Sequence, residues 1–522
     1  MDQRTPVDAS SPRESPVWPA AFIALATFLC YGGWGLTRLG FYHDDWPLLY
    51  HMSLMGGRFW DTAFGQLQGT AHIYRPLSVL CWALPFWLFG LKAAFWQASM
   101  AGLTAALCLV FYQLLRRFGA PPVHALLAAL LFLAFPNKDS TLFWPATALQ
   151  LSTSLLCFLG SCLAQARHAR TGRNSALALA VGLLLCALGV YDQCFFLLPV
   201  WALGPGARES GSRPRLAVFV GAAALAAFVV AKFVVLPHFV PYNKTVAFSA
   251  RQAAFVYYMA LRSLLDPRWF VYLARCAWQA AVWHPVLSAG ALILPWLARA
   301  ALGRPSEAGE ADAGRRLILW GGAVYVLGYL PLCFSDYAPG AYDQMNRLNQ
   351  LPVAGLCAAL CGWTLLSGNP RRTAALAAAA SACLVIHLTF SGIWRESYRR
   401  QLEFRDRALA VLGDWPKDKS LLVVLPELYA ARKAPVFLSG YDVSAAVHVW
   451  TGDSERSALA YSEWVTFRPE GVYADGRVRP YSSFRLFDAA SGRLSALDAR
   501  AARALPPVLQ PWEKPLAFWP KD

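Results

Sequence analysis

AAFWQASMAGLTAALCLVFYQLL, residues 93–115, carries no charged side chain and is followed at once by Arg116 and Arg117. A helix rises about 1.5 Å per residue, so this stretch reaches about 35 Å and covers a hydrocarbon core about 30 Å thick. Backbone groups in lipid must be satisfied within their own segment, which makes such a block a helix. Comparable blocks recur at about 18–36, 123–135, 146–163, 176–190, 194–203, 216–235, 280–297, 317–334, 351–366 and 373–390. The expected fold is therefore a polytopic α-helical membrane protein with about eleven transmembrane helices. The block at 194–203 is the shortest; merging it with its predecessor would place the arginines at 208–215 on the opposite side from the other basic loops.

Composition agrees. Of 522 residues, 57% are hydrophobic and 15% charged, with mean hydropathy +0.37. Soluble chains carry about a quarter charged residues. The 21 Trp, 20 Tyr and 31 Phe suit interfacial belts.

The net charge of +16 is placed, and its placement excludes nucleic acid as the partner it serves. Arginines cluster at Arg4 and Arg13, Arg116 and Arg117, Arg167 to Arg173, Arg208 to Arg215, Arg299 to Arg316, and Arg371 and Arg372. These are every second loop, the pattern that holds basic loops in the cytoplasm. All twelve cysteines precede residue 392, mostly inside apolar blocks, and none forms a CxxC pair. They read as small hydrophobes, with neither a disulfide framework nor a metal cluster.

The first block lacks a small-x-small cleavage site and reads as an uncleaved anchor with a cytoplasmic N-terminus. Residues 40–96 then lie outside, and within them 77–90, short and containing Pro85, suits a helix lying at the interface. After Phe390 the composition changes, so residues 1–391 form the membrane domain and 392–522 a small soluble α/β domain, outside the membrane by span parity. In that domain 396–412 reads as an amphipathic helix, 420–426 and 435–439 as buried strands with a helix-capable segment between them. Residues 479–488 alternate and lead to a turn at Ser491-Gly492.

The residues that carry chemistry recur on the outer side. Phe41-Tyr-His-Asp-Asp-Trp46 places Asp44 and Asp45 just after the first span. Two carboxylates near hydrocarbon repel and lose hydration, so they need a donor, a cation or a reaction. One could take a proton from an acceptor hydroxyl or stabilise charge on a sugar ring; a solvated loop that stops the helix would also fit. Tyr74-Arg-Pro-Leu77 supplies Arg75, able to clamp a phosphate with its donor fork or to snorkel to headgroups. The stretch Phe135-Pro-Asn-Lys-Asp-Ser-Thr-Leu-Phe-Trp144 adds Lys138 and Asp139, which would also suit a local ion pair. Asp192 stands at a junction of two spans, and 336–352 contributes Asp343, Arg347 and Asn349. His43, His72, His238 and His284 form no recognisable ligand set.

The order of these parts resembles the C-type superfamily of membrane glycosyltransferases, including protein O-mannosyltransferases and lipid A aminoarabinose transferases. The likeness covers the membrane region: one span, Asp44-Asp45-Trp46, Tyr74-Arg-Pro-Leu77 before an interfacial segment, a Pro-led loop ending in Trp144, and Arg347-Leu-Asn-Gln-Leu-Pro352. Many relatives carry an Arg-x-Leu-x-Leu-Pro-like run where this chain has Asn349 and Gln350. Several have Lys-Glu where it has Asp192-Gln193.

The resemblance implies an enzyme that moves a sugar from a polyprenyl-phosphate donor to a glycan, lipid or protein of the cell envelope. Asp44 would be the catalytic carboxylate and Asp45 would orient donor or acceptor. Arg75, Arg347 and Lys138 would hold the donor phosphate. His43, Tyr74, Asp139, Asp192 and Asn349 would line the substrate site. The resemblance implies no particular cofactor and leaves a divalent metal open, since relatives differ in using one. The expected partners are the lipid donor, the envelope acceptor and the bilayer, with no nucleic acid. The expected location is a bacterial inner membrane with the C-terminal domain in the periplasm. Competing readings are a polysaccharide polymerase or ligase relying on Arg251, Arg262, Arg268 and Arg347, a transporter, for which polar residues within spans are few apart from Lys232 and His387 near span ends and no repeat is found, and a non-catalytic scaffold.

Overall fold

A computed structural model describes residues 17–506 and 508 apart from short internal stretches (57, 68–73, 203, 206–211, 239–247, 303–309, 336, 343, 368, 432, 463, 475). His72 and Asp343 thus lie outside the described residues, as do Arg4, Arg13, Arg208 and Arg304. Seven helices are long and apolar enough to cross a membrane: Ala93–Arg117, Pro145–Thr171, Val218–His238, Pro285–Leu302, Glu310–Phe334, Met345–Leu365 and Pro370–Ala410. Shorter apolar helices occupy Val17–Cys30, Ser78–Phe89, Pro122–Leu133 and Asn174–Val190. The architecture is polytopic and helical, with a small sheet region at the C-terminal end.

The expected spans at 18–36, 123–135 and 176–190 are among the shorter helices, and two others differ further. Residues 194–203 form no crossing helix; a 3₁₀ helix, Asp192–Leu197, leads into the short helix Leu198–Ala202. Side-chain bonds explain the irregular path. Gln193 donates to the Leu348 carbonyl at 2.6 Å, and Trp201 Nε1 donates to Ser161 Oγ at 2.9 Å. The span expected at 280–297 is displaced to Pro285–Leu302, because His284 breaks the chain and Pro285 restarts it at the first helical position.

Helices Glu310–Tyr329 and Gln350–Leu365 pack closely through glycines spaced seven apart. A Cβ on Gly321 would stand 2.4 Å from the Gly355 carbonyl oxygen, and one on Gly362 would stand 2.5 Å from that of Gly314. Apolar helices in lipid gain contact by such close backbone approach. Gly321→Val is therefore expected to cost about 1–3 kcal/mol as overpacking. Thermal unfolding of the purified protein would show it, and an unchanged transition would deny the close contact.

Among the described residues, the basic ends near 116–124, 170, 316 and 373 gather at one pole of the bundle. Arg316 Nη2 donates to the Phe118 carbonyl at 3.0 Å, His124 bonds Thr373 at 3.0 Å, and Arg117 faces Arg170. At the opposite pole the loops around residues 40–46, 136–146, 191–193 and 344–350 converge beneath the C-terminal region.

Helix Pro370–Ala410 runs unbroken through the expected domain boundary at 391/392. No Gly-Pro break interrupts it, and its Tyr398 ring lies against Gly40, where a Cβ would come within 1.9 Å. Beyond it, strand Ser420–Val424 pairs in parallel with Ala458–Ala460 and Phe484–Asp488, and the latter pairs antiparallel with Arg493–Ala496. The strand expected at 435–439 is reduced to Ala434–Pro435, paired with Tyr429–Ala430, and no helix lies between it and Ser420–Val424. The reason is Asp442, whose carboxylate accepts the Leu438 and Ser439 amides at 2.8 and 3.0 Å and caps helix Gly440–Thr451. Those amides are then unavailable to a ladder.

Candidate active site

The Phe41–Trp46 hexapeptide fans its side chains into different partners. His43 has a left-handed backbone, φ 41°, which non-glycine residues seldom adopt outside over-determined sites. Tyr42 donates its hydroxyl to the Trp394 carbonyl at 2.9 Å, and Trp46 donates to Gln401 Oε1 at 2.9 Å. Both acceptors lie on helix Pro370–Ala410, which thereby fixes the loop from each side of the acidic pair.

The two aspartates take opposite environments. Asp45 is 3% exposed; one oxygen accepts the Tyr42 amide at 2.7 Å and the other the Ala146 amide at 2.6 Å. It thus caps the start of helix Pro145–Thr171 from a distance. Burial pushes its carboxyl upward, and the two amides act against that. The structure does not turn Asp45 toward a substrate. Asp44 is the N-cap of helix Asp45–Leu54 but makes no side-chain capping bond. Its side chain is 42% exposed and lines a cleft.

That cleft holds about 790 Å³. Its polar lining includes Asp44, Arg75, Asp192, Lys232 and Arg347, and its apolar lining includes Phe195, Phe196, Phe233, Leu332 and Phe334. Arg75 Nε donates to Asp192 Oδ2 at 2.8 Å, and the Arg75 guanidinium stacks 4.4 Å over the Tyr191 ring. Lys232 bonds the other Asp192 oxygen. Burial would raise the Asp192 carboxyl, but the two cations hold it below the ordinary range. Lys232 comes from a π turn, Ala231–Val235, at the end of helix Ser212–Val230. Such turns redirect a side chain without ending the helix. Arg347 stacks 5.1 Å over Trp144, and its Nη1 is buried without a hydrogen-bond partner among the described residues. A buried guanidinium N–H left unmet costs about 1–3 kcal/mol or more. Three cations against two carboxylates leave the lining suited to an anion.

Other expected site residues are placed away from the cleft. Lys138 is 1% exposed and donates to the Leu133 carbonyl at 3.2 Å, turned back into the bundle. Asn349 is fully engaged, donating to the Asn137 and Gly340 carbonyls at 2.7 Å and accepting from Tyr329 at 2.8 Å. Tyr74 is buried at 4% exposure. Asp139 is fully buried, accepting from Asn346 at 2.6 Å and Trp394 at 2.8 Å, and pairs with Lys433. Of the arginines that a polymerase would use, Arg262 and Arg268 both pair with Asp266, and Arg251 is exposed away from the cleft.

The C-terminal region contributes residues that sequence reading passed over. Tyr441 donates its hydroxyl to Asp44 Oδ1 at 2.6 Å, and the same oxygen lies 2.7 Å from His43 Nε2. His43 Nδ1 bonds Asp442 Oδ2 at 2.9 Å. The only local sign of these partners was Ser439-Gly-Tyr-Asp442, which reads as a capping sequence.

Among the described residues no group of three or more His, Cys, Asp or Glu side chains is arranged to hold a metal ion. No protein-family model matches the chain, and no curated protein matches it either.

Proposed function

We propose that the chain is a glycosyltransferase that moves a sugar from a polyprenyl-phosphate donor to a cell-envelope acceptor, with Asp44 as the catalytic carboxylate. The observation that carries this reading is the cleft itself, whose lining combines three cations and an exposed carboxylate with aromatic and aliphatic side chains. A polyprenyl phosphate has the matching form, an anion joined to a long apolar tail. Helix Ser212–Val230 and its continuation supply Lys232 on one side, while Phe219, Val234 and Val235 face outward. That arrangement offers the tail a route from the bilayer to the cleft.

In this reading Arg347 and the Arg75–Lys232 pair receive the phosphate, and Asp44 takes the acceptor proton as the acceptor oxygen attacks the anomeric carbon. The bond from that carbon to the phosphate oxygen breaks, and its electron pair leaves on the lipid phosphate. The reading includes eleven crossings, with 194–203 as an irregular one, and a bacterial inner membrane. The Arg-rich pole would face the cytoplasm, and the Asp44 pole and C-terminal domain would face the periplasm.

The test is transfer from a labelled polyprenyl-phosphate-sugar pool in membranes holding the full chain. Wild-type membranes are expected to transfer the label, and no transfer from any such donor would remove the reading. Within the assay, Arg347→Ala is expected to raise the donor KM about 10- to 100-fold, the loss of one charged hydrogen bond of about 1.5–3 kcal/mol. Arg75→Ala should cost less, because Lys232 then retains Asp192 as an undivided partner. Equal donor dependence in all three would take the phosphate away from these cations.

A further inference from the structure

Asp44 alone would have to hold each proton it takes until product leaves and water returns to it. The hydrogen bonds around it provide another course. From Asp44 Oδ1 the contacts run to the Tyr441 hydroxyl at 2.6 Å, to His43 Nε2 at 2.7 Å, and from His43 Nδ1 to Asp442 at 2.9 Å. Two of these four groups belong to the loop after the first span and two to the C-terminal region, so the line exists only where the regions meet.

Each member is held for its part. Asp442 also accepts the backbone amides of Leu438, Ser439 and Val443 at 2.8–3.0 Å, which fixes its carboxylate toward His43. The His43 ring is 5.6 Å from Trp144 and 5.2 Å from Tyr441, and His43 is buried at 6% exposure. Tyr441 is half exposed, with its hydroxyl directed inward to both partners. The left-handed backbone of His43 lets adjacent residues 43 and 44 converge on one tyrosine oxygen.

We propose that Tyr441, His43 and Asp442 form a proton relay for Asp44, so that the C-terminal domain completes the reaction centre. This rests on the lipid-donor reading above. Before transfer, His43 is neutral, with its Nδ1 proton on the Asp442 side, and the Tyr441 hydroxyl donates to Asp44; it turns to the His43 Nε2 lone pair once Asp44 is protonated. The acceptor O–H bond breaks as Asp44 gains the proton. That proton then passes to the Tyr441 oxygen while the Tyr441 hydroxyl proton moves to His43 Nε2. The net change is one proton from acceptor to His43, and Asp442 stabilises the imidazolium, as a buried carboxylate does for histidine in hydrolytic triads. Product release and water at the exposed Asp44 reverse the relay. Tyr441 and His43 act through Asp44 and are positioning residues.

The charged and titratable groups facing His43 are Asp44, Asp442, Tyr441 and Arg347. Burial lowers the His43 imidazole, but Asp44 and Asp442 outweigh burial and Arg347 and raise it above 6.5. Burial and Asp44 push the Tyr441 phenol well up, so it passes a proton without holding the negative charge. Because the relay starts with neutral His43, kcat should fall as pH drops through the raised His43 value.

The experiment compares full-length wild type with Tyr441→Phe, His43→Gln and Asp442→Asn in membranes, using the labelled lipid donor across pH 5–9. Tyr441→Phe keeps the ring and should lose about 10- to 100-fold in kcat, the lower part of the range for a positioned proton-transfer group. His43→Gln should lose the acid limb, and Asp442→Asn should move it to lower pH. Wild-type kcat and an unchanged acid limb in Tyr441→Phe overturn the relay while leaving the lipid-donor reading intact. Absence of transfer by wild type removes that reading instead. In that case the titration midpoint of His43, read by mass-spectrometric exchange of its C2 hydrogen, still decides. A midpoint above 6.5 that falls in Asp442→Asn supports the coupled groups; one at or below 6.5 overturns them.

Discussion

Asp44→Asn is expected to lower transfer by about 10²- to 10⁴-fold, the contribution of a positioned proton-transfer group, while the protein accumulates normally. The second half of that expectation comes from geometry. Asp44 makes no capping bond and is 42% exposed, so an amide in its place loses little packing. Tyr441 can still donate to the asparagine oxygen, which preserves the contact between the two regions. What is lost is the basic oxygen facing the cleft.

Asp45→Asn makes the contrast. Both Asp45 oxygens accept backbone amides, and asparagine offers one oxygen and one NH₂. Its NH₂ must then face an N–H, a loss of about 1–3 kcal/mol at a buried site. Asp45→Asn should lower the unfolding temperature and the amount of protein, whereas Asp44→Asn should lower rate at matched amount. Expression and transfer measured together separate the two. Full activity in Asp44→Asn would exclude it as the catalytic carboxylate.

The difference between these neighbours was not legible in the sequence. The acidic pair announced itself through cost, since two carboxylates beside hydrocarbon demand partners. Which of the two met backbone and which met the cleft depends on a left-handed residue at 43 and on where helix Pro145–Thr171 begins. Hydropathy found the helices because a crossing is a property of one continuous segment. At 194–203 it missed the irregular path, a 3₁₀ turn and a short helix, which Gln193 and Trp201 hold by bonds to other parts of the bundle. Arg75, Asp192 and Arg347 were singled out from the sequence and line one cleft, yet Lys232, which lines it too, was set aside as a charge near a span end. Its inward turn is made by π geometry that no apolar pattern signals. Tyr441 and Asp442 lay beyond reach for the same reason: their partners are nearly four hundred residues away, and periodicity carries no information over that distance.

Lys433 is the strongest case of such a distant partner, and removing it is expected to destabilise the protein by about 3–5 kcal/mol. Lys433 and Asp139 are both fully buried and paired, with the ammonium 4.4 Å over Phe390 and 4.9 Å over Trp269. Lys433 also donates to the Ala341 carbonyl at 3.2 Å. In Lys433→Met the Asp139 carboxylate keeps only Asn346 and Trp394 and remains without its countercharge. Breaking one side of a buried pair costs far more than replacing both. The double variant Lys433→Met with Asp139→Asn should therefore recover the part of the lost stability owed to the unpaired charge, while the asparagine NH₂ faces an N–H donor. Thermal unfolding of the four proteins in one detergent measures this cycle, and additive losses would show that the two residues do not act as a pair. The same loss should reach the reaction centre. Lys433 anchors the segment leading to Tyr441, so the single variant should reduce transfer more steeply than it reduces folded protein. The double variant should restore both together, because the contact that seats Tyr441 beside Asp44 is then neutral but still packed.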